Sequence, residues 1–332
     1  MKKDRVFYFD NVKFVLMLLV VLCHFIDINL SKNYIFKSIF LIVFAFHMPL
    51  YIFISGLFFK SNEKTYAKAI SYFSISFVLK FAITLIRYIF NKPFEFRLFG
   101  NDTIAWFLFA LGVWTLLTDF IMKANINLKI LLVVLFVIAV LSGFDNTIGD
   151  DFALSRIIVF YPFYILGVIL KPESILDLKT KKVRYVFIIC LLIWVFVCIL
   201  FINGKIYNLR PYFTGHNPFS KTVYKGILGI KFRLIAYIIS IITGGGVLML
   251  FSNKYIPLIT DFGSRTIQVY FWHNIIRDIL QLTGIRPILS ESFIGCIILV
   301  VISICITLVL STKLFEFPTN YLNSKLLILH YK

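Results

Sequence analysis

Four ionisable residues share one side of a single apolar run, VFYFDNVKFVLMLLVVLCHFIDINL over residues 6–30: Asp10, Lys13, His24 and Asp27. At about 100° per residue the steps from Lys13 to His24 return to within about 20°, so both side chains project from one helix face. Asp10 falls within roughly 40° of that face and Asp27 within roughly 60°. An ionisable group in hydrocarbon costs about 2.5–3.5 kcal/mol on insertion scales, so such residues face a protein interior or a wet cavity. One such residue would suit an interhelical hydrogen bond that holds a bundle together; a stripe of four points to a buried site. His24, with an unperturbed pKa of about 6.5, is the residue type that exchanges a proton near neutral pH.

Other polar groups fall at membrane depth along the chain. Residues 46–56, FHMPLYIFISG, carry His47, then Pro49 two residues on, and Ser55 next to Gly56. A proline in a membrane helix releases backbone groups that must find other partners, commonly near a cavity; His47 reads equally as a hydrogen-bonded core histidine beside a kink. In AWFLFALGVW the tryptophans Trp106 and Trp114 suit interfacial anchors. Arg156, in SRIIVFYPFYILG, suits a snorkelling cation near a helix end. In GSRTIQVYFWHNIIRD, His273 and Arg277 share a face by i, i+4 spacing, as do Asn274 and Asp278. The five cysteines form no C-x-x-C pair, and no zinc or other metal motif is present. No phosphate-binding glycine loop, nucleophile elbow or HExxH occurs in a fitting context. From residue types alone, the buried His/Lys/Asp site could serve an enzyme or a transporter.

The elements that must position these residues are membrane helices. Hydrophobic residues make up 60% of the 332-residue chain and mean hydropathy is +0.91. Runs of about 20 apolar residues, the length a bilayer core requires, recur near 12–30, 35–59, 67–90, 104–122, 128–143, 154–170, 184–203, 227–251, 266–282 and 293–311. The expected fold is all-α and polytopic: a bundle of about ten transmembrane helices enclosing a buried polar site, in one domain over residues 1–332. The first run lacks a small-residue cleavage site and is expected to stay as a helix.

The net charge of +18 would suggest nucleic acid in a soluble protein, but here the cations sit in loops between spans. An inside N-terminus places Lys2, Lys3, Arg5, Lys60, Lys64, Lys68, Lys123, Lys129, Lys171, Lys179, Lys181, Lys182 and Arg184 in the cytoplasm, and Asp145, Asp150 and Asp151 outside, as the positive-inside rule expects. The 204–226 loop runs against that rule, since it puts Lys205, Arg210, Lys221 and Lys225 outside.

Taken in order, YFDNVKF…H, FHMPLYIFISGLFFK, WFLFALGVW, SRIIVFYPFYILG and GSRTIQVYFWH resemble the acyltransferase 3 family of integral membrane O-acyltransferases, most closely its fucose 4-O-acetylase-like branch. The resemblance implies about ten helices in the cytoplasmic membrane of a bacterial cell, both termini cytoplasmic. It also implies an O-acetyltransferase, moving an acyl group other than aminoacyl from cytosolic acetyl-CoA to a sugar hydroxyl of an envelope glycan, an exopolysaccharide or a lipid-linked precursor. The donor is a substrate, and no permanently bound cofactor is implied. The family's basic-residue-x10-His motif falls on Lys13 and His24.

On that resemblance His24 is the expected base, oriented by Asp27 or Asp10. Lys13 holds the CoA phosphates, with Lys60, Lys64 and Lys68 standing where the family carries an Arg-x-x-Arg motif that this chain lacks. Asn11, His47, Ser55, Trp106, Arg156 and His273 support the site or the substrate. The extracellular SGNH domain of some relatives is not expected here. A glycan or lipid-linked-sugar exporter is the competing reading, since intramembrane charges mark transport paths too.

Overall fold

With no water in a bilayer core to satisfy backbone groups, long apolar runs fold into helices. The computed structural model describes residues 7–30, 33–96, 105–148 and 151–329, and they form helices without a strand. In order these are α1 Phe7–Ile26, α2 Tyr34–Phe44, α3 His47–Leu57, α4 Thr65–Ile89, α5 Trp106–Lys123, α6 Leu128–Leu141, α7 Leu154–Ile169 and α8 Pro172–Asp177. The second half adds α9 Lys181–Phe201, α10 Arg210–Thr214, α11 Gly226–Leu250, α12 Ile259–Gly263, α13 Thr266–Leu282, α14 Ile285–Ser290, α15 Phe293–Leu310 and α16 Thr319–Leu329. Lys2, Lys3, Arg5, Asp150 and most of the 91–103 connection lie outside the described residues.

Among the described residues, seven helical stretches are long and apolar enough to cross a membrane, with α2 and α3 together counting as one. The other three expected spans are helical but differ in kind. The helices over 128–144 and 154–169 are apolar but shorter, and α13 carries Gln268, His273, Asn274, Arg277 and Asp278, which lower its apolarity.

The break between α2 and α3 has a local cause. In a continuous helix the Pro49 ring would strike the carbonyl of Ala45, four residues earlier. The chain instead leaves helical geometry at Phe46 (φ −129°) and restarts at His47, so Pro49 sits in the first turn, where its missing N–H has no intrahelical partner to lose. Side-chain caps start other helices: Asn33 accepts from Phe36 N at 3.1 Å, Asn127 from Lys129 N at 2.9 Å and Ser292 from Gly295 N at 2.9 Å.

α1 lies in the middle of the bundle, with Tyr8, Val12, Leu16, Val21 and Phe25 fully or almost fully buried, and it packs against α2, α3, α12, α13 and α15. α9 is the opposite case: only Leu191, Trp194 and Cys198 are buried along it, so its apolar surface fits lipid. α3 and α7 meet in a close backbone approach. A Cβ on Gly56 would fall 2.1 Å from the Tyr164 carbonyl oxygen, and one on Gly167 2.2 Å from that of Phe53, so both positions require glycine for the backbones to meet.

Polar connections are sorted to two ends. Lys179 donates to the Phe251 carbonyl and lies 4.1 Å over the Tyr8 ring, which places the 178–180 and 251–258 segments at the start of α1. Arg210, Thr214 and His216 line a cavity with His24, which places the 204–225 connection at its other end.

Candidate functional site

Two cavities open along α1. The larger, about 400 Å³, is lined by Val20 and His24 of α1, Asp27 just past its end, His47 of α3, Trp106 of α5, Arg156 of α7, Arg277 of α13 and the 210–216 segment. The smaller, about 190 Å³, is lined by Lys13 and Met17 of α1, Ser55 of α3, Lys68 and Tyr72 of α4, Leu111 of α5 and Thr266 of α13. Phe107 and Tyr270 line both and stand ring to ring at a centroid distance of 5.6 Å. Four helices (α1, α3, α5 and α13) thus run from one cavity past an aromatic partition to the other. Lys13 and His24, on one face of α1, are separated by about 16 Å of helix rise and serve different cavities.

The histidines cluster at the His24 end. The His47 Nδ1 is 2.9 Å from the Val43 carbonyl oxygen, and the His273 Nδ1 is 2.8 Å from that of Val269. A carbonyl only accepts, so each Nδ1 carries the hydrogen and each neutral ring keeps its lone pair on Nε2. His273 is fully buried and packs behind His24, ring centroids 5.4 Å apart. The buried Nδ1 of His24 and Nε2 of His273 make no hydrogen bond within the protein.

The carboxylates depart from the sequence expectation. Asp10 pairs with Lys13 at 2.8 Å, about 21 Å of helix rise from His24. The expectation that it orients the imidazole is corrected: sharing a helix face does not bring together residues four turns apart. Asp27 lies in the His24 cavity but binds the Arg286 guanidinium. Arg286 also donates to the carbonyls of His24 (3.0 Å) and Phe25 (3.1 Å). Asp27 therefore acts through Arg286 on the end of α1, where a cation satisfies carbonyls the helix leaves open, rather than on the ring.

The remaining candidates divide. Lys68 joins Lys13 at the smaller cavity, whereas Lys60 and Lys64 are exposed and line neither cavity. Ser55 lines the smaller cavity and donates to Tyr51 O at 2.9 Å. Asn11 is fully buried: its amide donates to Lys254 O at 2.9 Å, and its oxygen accepts from Thr260 Oγ1 at 2.6 Å, so it staples α1 to α12 and to the segment before it. Trp106 stacks on Phe160 and carries the Arg156 guanidinium over its ring at 4.9 Å, a wall of the larger cavity rather than an isolated anchor. The sequence suggests for the 204–226 loop either a solvated role or contact with a glycan through residues such as Arg210 and His216, and suggests no part for Arg286; the fold carries the first two over His24 and the third to Asp27. Among the described residues no group of three or more His, Cys, Asp or Glu could hold a metal.

Outside the spans, Lys179 is held on the face of Tyr8. Burial, together with the nearby Arg184 charge, lowers its pKa to about 8.

Comparison with known families adds one finding. The family model for the acyltransferase 3 domain matches residues 6–312. No curated protein and no solved structure matches the chain.

Proposed function

We propose that this chain, which belongs to the acyltransferase 3 family and is a membrane acyltransferase, moves an acetyl group from cytosolic acetyl-CoA at its Lys13 cavity to a sugar hydroxyl in its His24 cavity. One observation carries the reading: a cation and a histidine on one helix face open into two cavities that meet at Phe107 and Tyr270. Lys13 and Lys68 would hold CoA phosphates, and the basic loops at that end would raise the local concentration of the anionic donor. An extended pantetheine arm is of the right length for the roughly 16 Å between Lys13 and His24. The thioester would then reach the partition while the nucleotide stays at the cytoplasmic end.

His24 is the proposed base. The acceptor hydroxyl oxygen attacks the thioester carbonyl carbon, His24 takes the hydroxyl proton, and collapse of the tetrahedral intermediate breaks the C–S bond. The departing thiolate takes the proton back, leaving an acetyl ester and free CoA. His47 would assist from across the cavity, its Nε2 lone pair fixed by the Val43 carbonyl. Asp27 and Arg286 would hold the end of α1, and with it the position of His24. The motif likeness to the fucose 4-O-acetylase-like branch supports an envelope glycan or its lipid-linked precursor as acceptor in a bacterial cytoplasmic membrane, with both termini cytoplasmic. The exporter reading is less favoured, because the family match is to acyltransferases.

The test is mass spectrometry of envelope glycans from cells with and without the protein, beside transfer of labelled acetyl from acetyl-CoA by the protein in vesicles. Acetyl esters that depend on the protein are expected; hydrolysis of acetyl-CoA without any glycan ester would sink the proposal.

A further inference from the structure

The His24 cavity has an unusual balance of donors and acceptors. Arg156, Arg210 and Arg277 reach it from three separate segments, and Asp27 is the one carboxylate among its lining residues. Asp27 is already bound by Arg286, and Asp278, next to Arg277, is shared with Arg87 at 2.7 Å. Arg210 is held by ring faces instead of a carboxylate, 4.9 Å from the Phe40 centroid and 5.9 Å from that of Tyr207. Stacking of this kind fixes a guanidinium plane and, apart from the contact with the Tyr207 side chain, leaves N–H edges for a ligand. The buried Nε atoms of Arg210 and Arg277 make no hydrogen bond within the protein.

A guanidinium donates and never accepts. A neutral glycan offers hydroxyls that donate as readily as they accept, and beyond the histidine lone pairs it would find no amide side chain and a single engaged carboxylate among these lining residues. A phosphate or carboxylate only accepts, and it matches guanidinium forks two hydrogen bonds at a time. Resting on the acyltransferase reading, we infer that this chamber selects an anionic acceptor: a glycan bearing a phosphate or carboxylate close to the hydroxyl that is acylated. Arg210 and Arg277 clamp the anion while His24 faces the hydroxyl.

Binding is measured on the full chain in detergent without acyl-CoA, so that the result does not depend on transfer. The probes are a glycerol phosphate oligomer, an oligogalacturonate and a neutral maltooligosaccharide of similar length. Either anionic probe should bind while the neutral one does not, and the stronger of the two identifies phosphate or carboxylate as the natural group. Arg210→Gln and Arg277→Gln should each weaken anion binding by about tenfold or more. Arg210→Lys should recover part of the loss, and Lys181→Gln, at the far end of the bundle, should change nothing. Should a glutamine variant fail to fold, arginine-specific modification of the wild-type protein, read by peptide mass spectrometry, decides. The anionic probes should slow the reaction at Arg210 and Arg277, and the neutral one should not.

Equal binding of the neutral probe overturns the inference, as does absence of binding by both anions, or an affinity indifferent to both arginines. Acetyl transfer to a neutral glycan would remove the anionic acceptor and leave the transferase standing. Arginine-dependent anion binding without any transfer would do the reverse.

Discussion

Phe107 and Tyr270 meet at 5.6 Å between ring centroids, and each faces a cavity on either side. On the proposed mechanism the acyl group must pass or displace these rings, so they set how large it can be. Shortening Tyr270 to alanine should raise kcat/KM for propionyl-CoA relative to acetyl-CoA by on the order of tenfold, the usual worth of an added methylene in an apolar slot. A steady-state comparison of the two donors checks this; an unchanged ratio would place the size filter elsewhere.

His24→Ala should insert and fold, since the ring nitrogen Nδ1 has no hydrogen bond to lose, yet transfer should fall by roughly 10²–10⁴-fold if general-base catalysis alone is removed. Envelope glycan O-acetylation close to wild type in cells carrying this variant would be incompatible with the proposed base.

Lys13 and Asp10 make a second, separable test. Lys13→Ala should raise KM for acetyl-CoA well above its effect on kcat, and Lys13→Arg should retain part of the affinity because the charge persists. Since Asp10 pairs with Lys13 at 2.8 Å and is remote from His24, Asp10→Asn should also appear in KM. A loss confined to kcat in Asp10→Asn would restore it as a partner of the imidazole. Calorimetric titration with CoA gives the same answer without turnover.

Much of this was legible in the chain before any coordinates. Helix positions follow from apolar runs of bilayer length, and the Lys13–His24 spacing depends only on the helical repeat. Pro49 marks a break, though not its place at Ala45–Phe46. Asp10 misled because a shared helix face fixes direction but not depth. Asp27 misled because its partner, Arg286, comes from a short helix 259 residues later, a distance over which one sequence carries no pairing signal. Arg210 and His216 look like any polar loop until the 204–225 connection folds over the end of α1.

Lys179 supplies a pH test outside the bundle. Its pKa is lowered to about 8 from an ordinary 10.5 by burial and by Arg184. Because the folded chain gives up this proton first, the unfolded chain binds more protons between those two values. Stability should therefore rise with pH from about 8 toward 10.5, with the cost of the charged form fully present below about 8. Amine-reactive labelling followed by peptide mass spectrometry should show Lys179 reacting with a midpoint near pH 8, while exposed Lys181 and Lys182 react at higher pH. A shared midpoint would refute the environment described for Lys179.

The two-ring partition has a consequence for the cell. If the protein sits, as proposed, in a cytoplasmic membrane that stores energy as an ion gradient, any continuous watery path through it would run that gradient down. Apolar ring faces discourage hydrated ions, as hydrophobic constrictions in channels do, whereas an uncharged acyl chain on a slender arm can slip between them. On the proposed mechanism the chemistry crosses the bilayer while the solvent does not. A cell could then decorate material beyond its membrane using a cytosolic donor, without short-circuiting its proton-motive force.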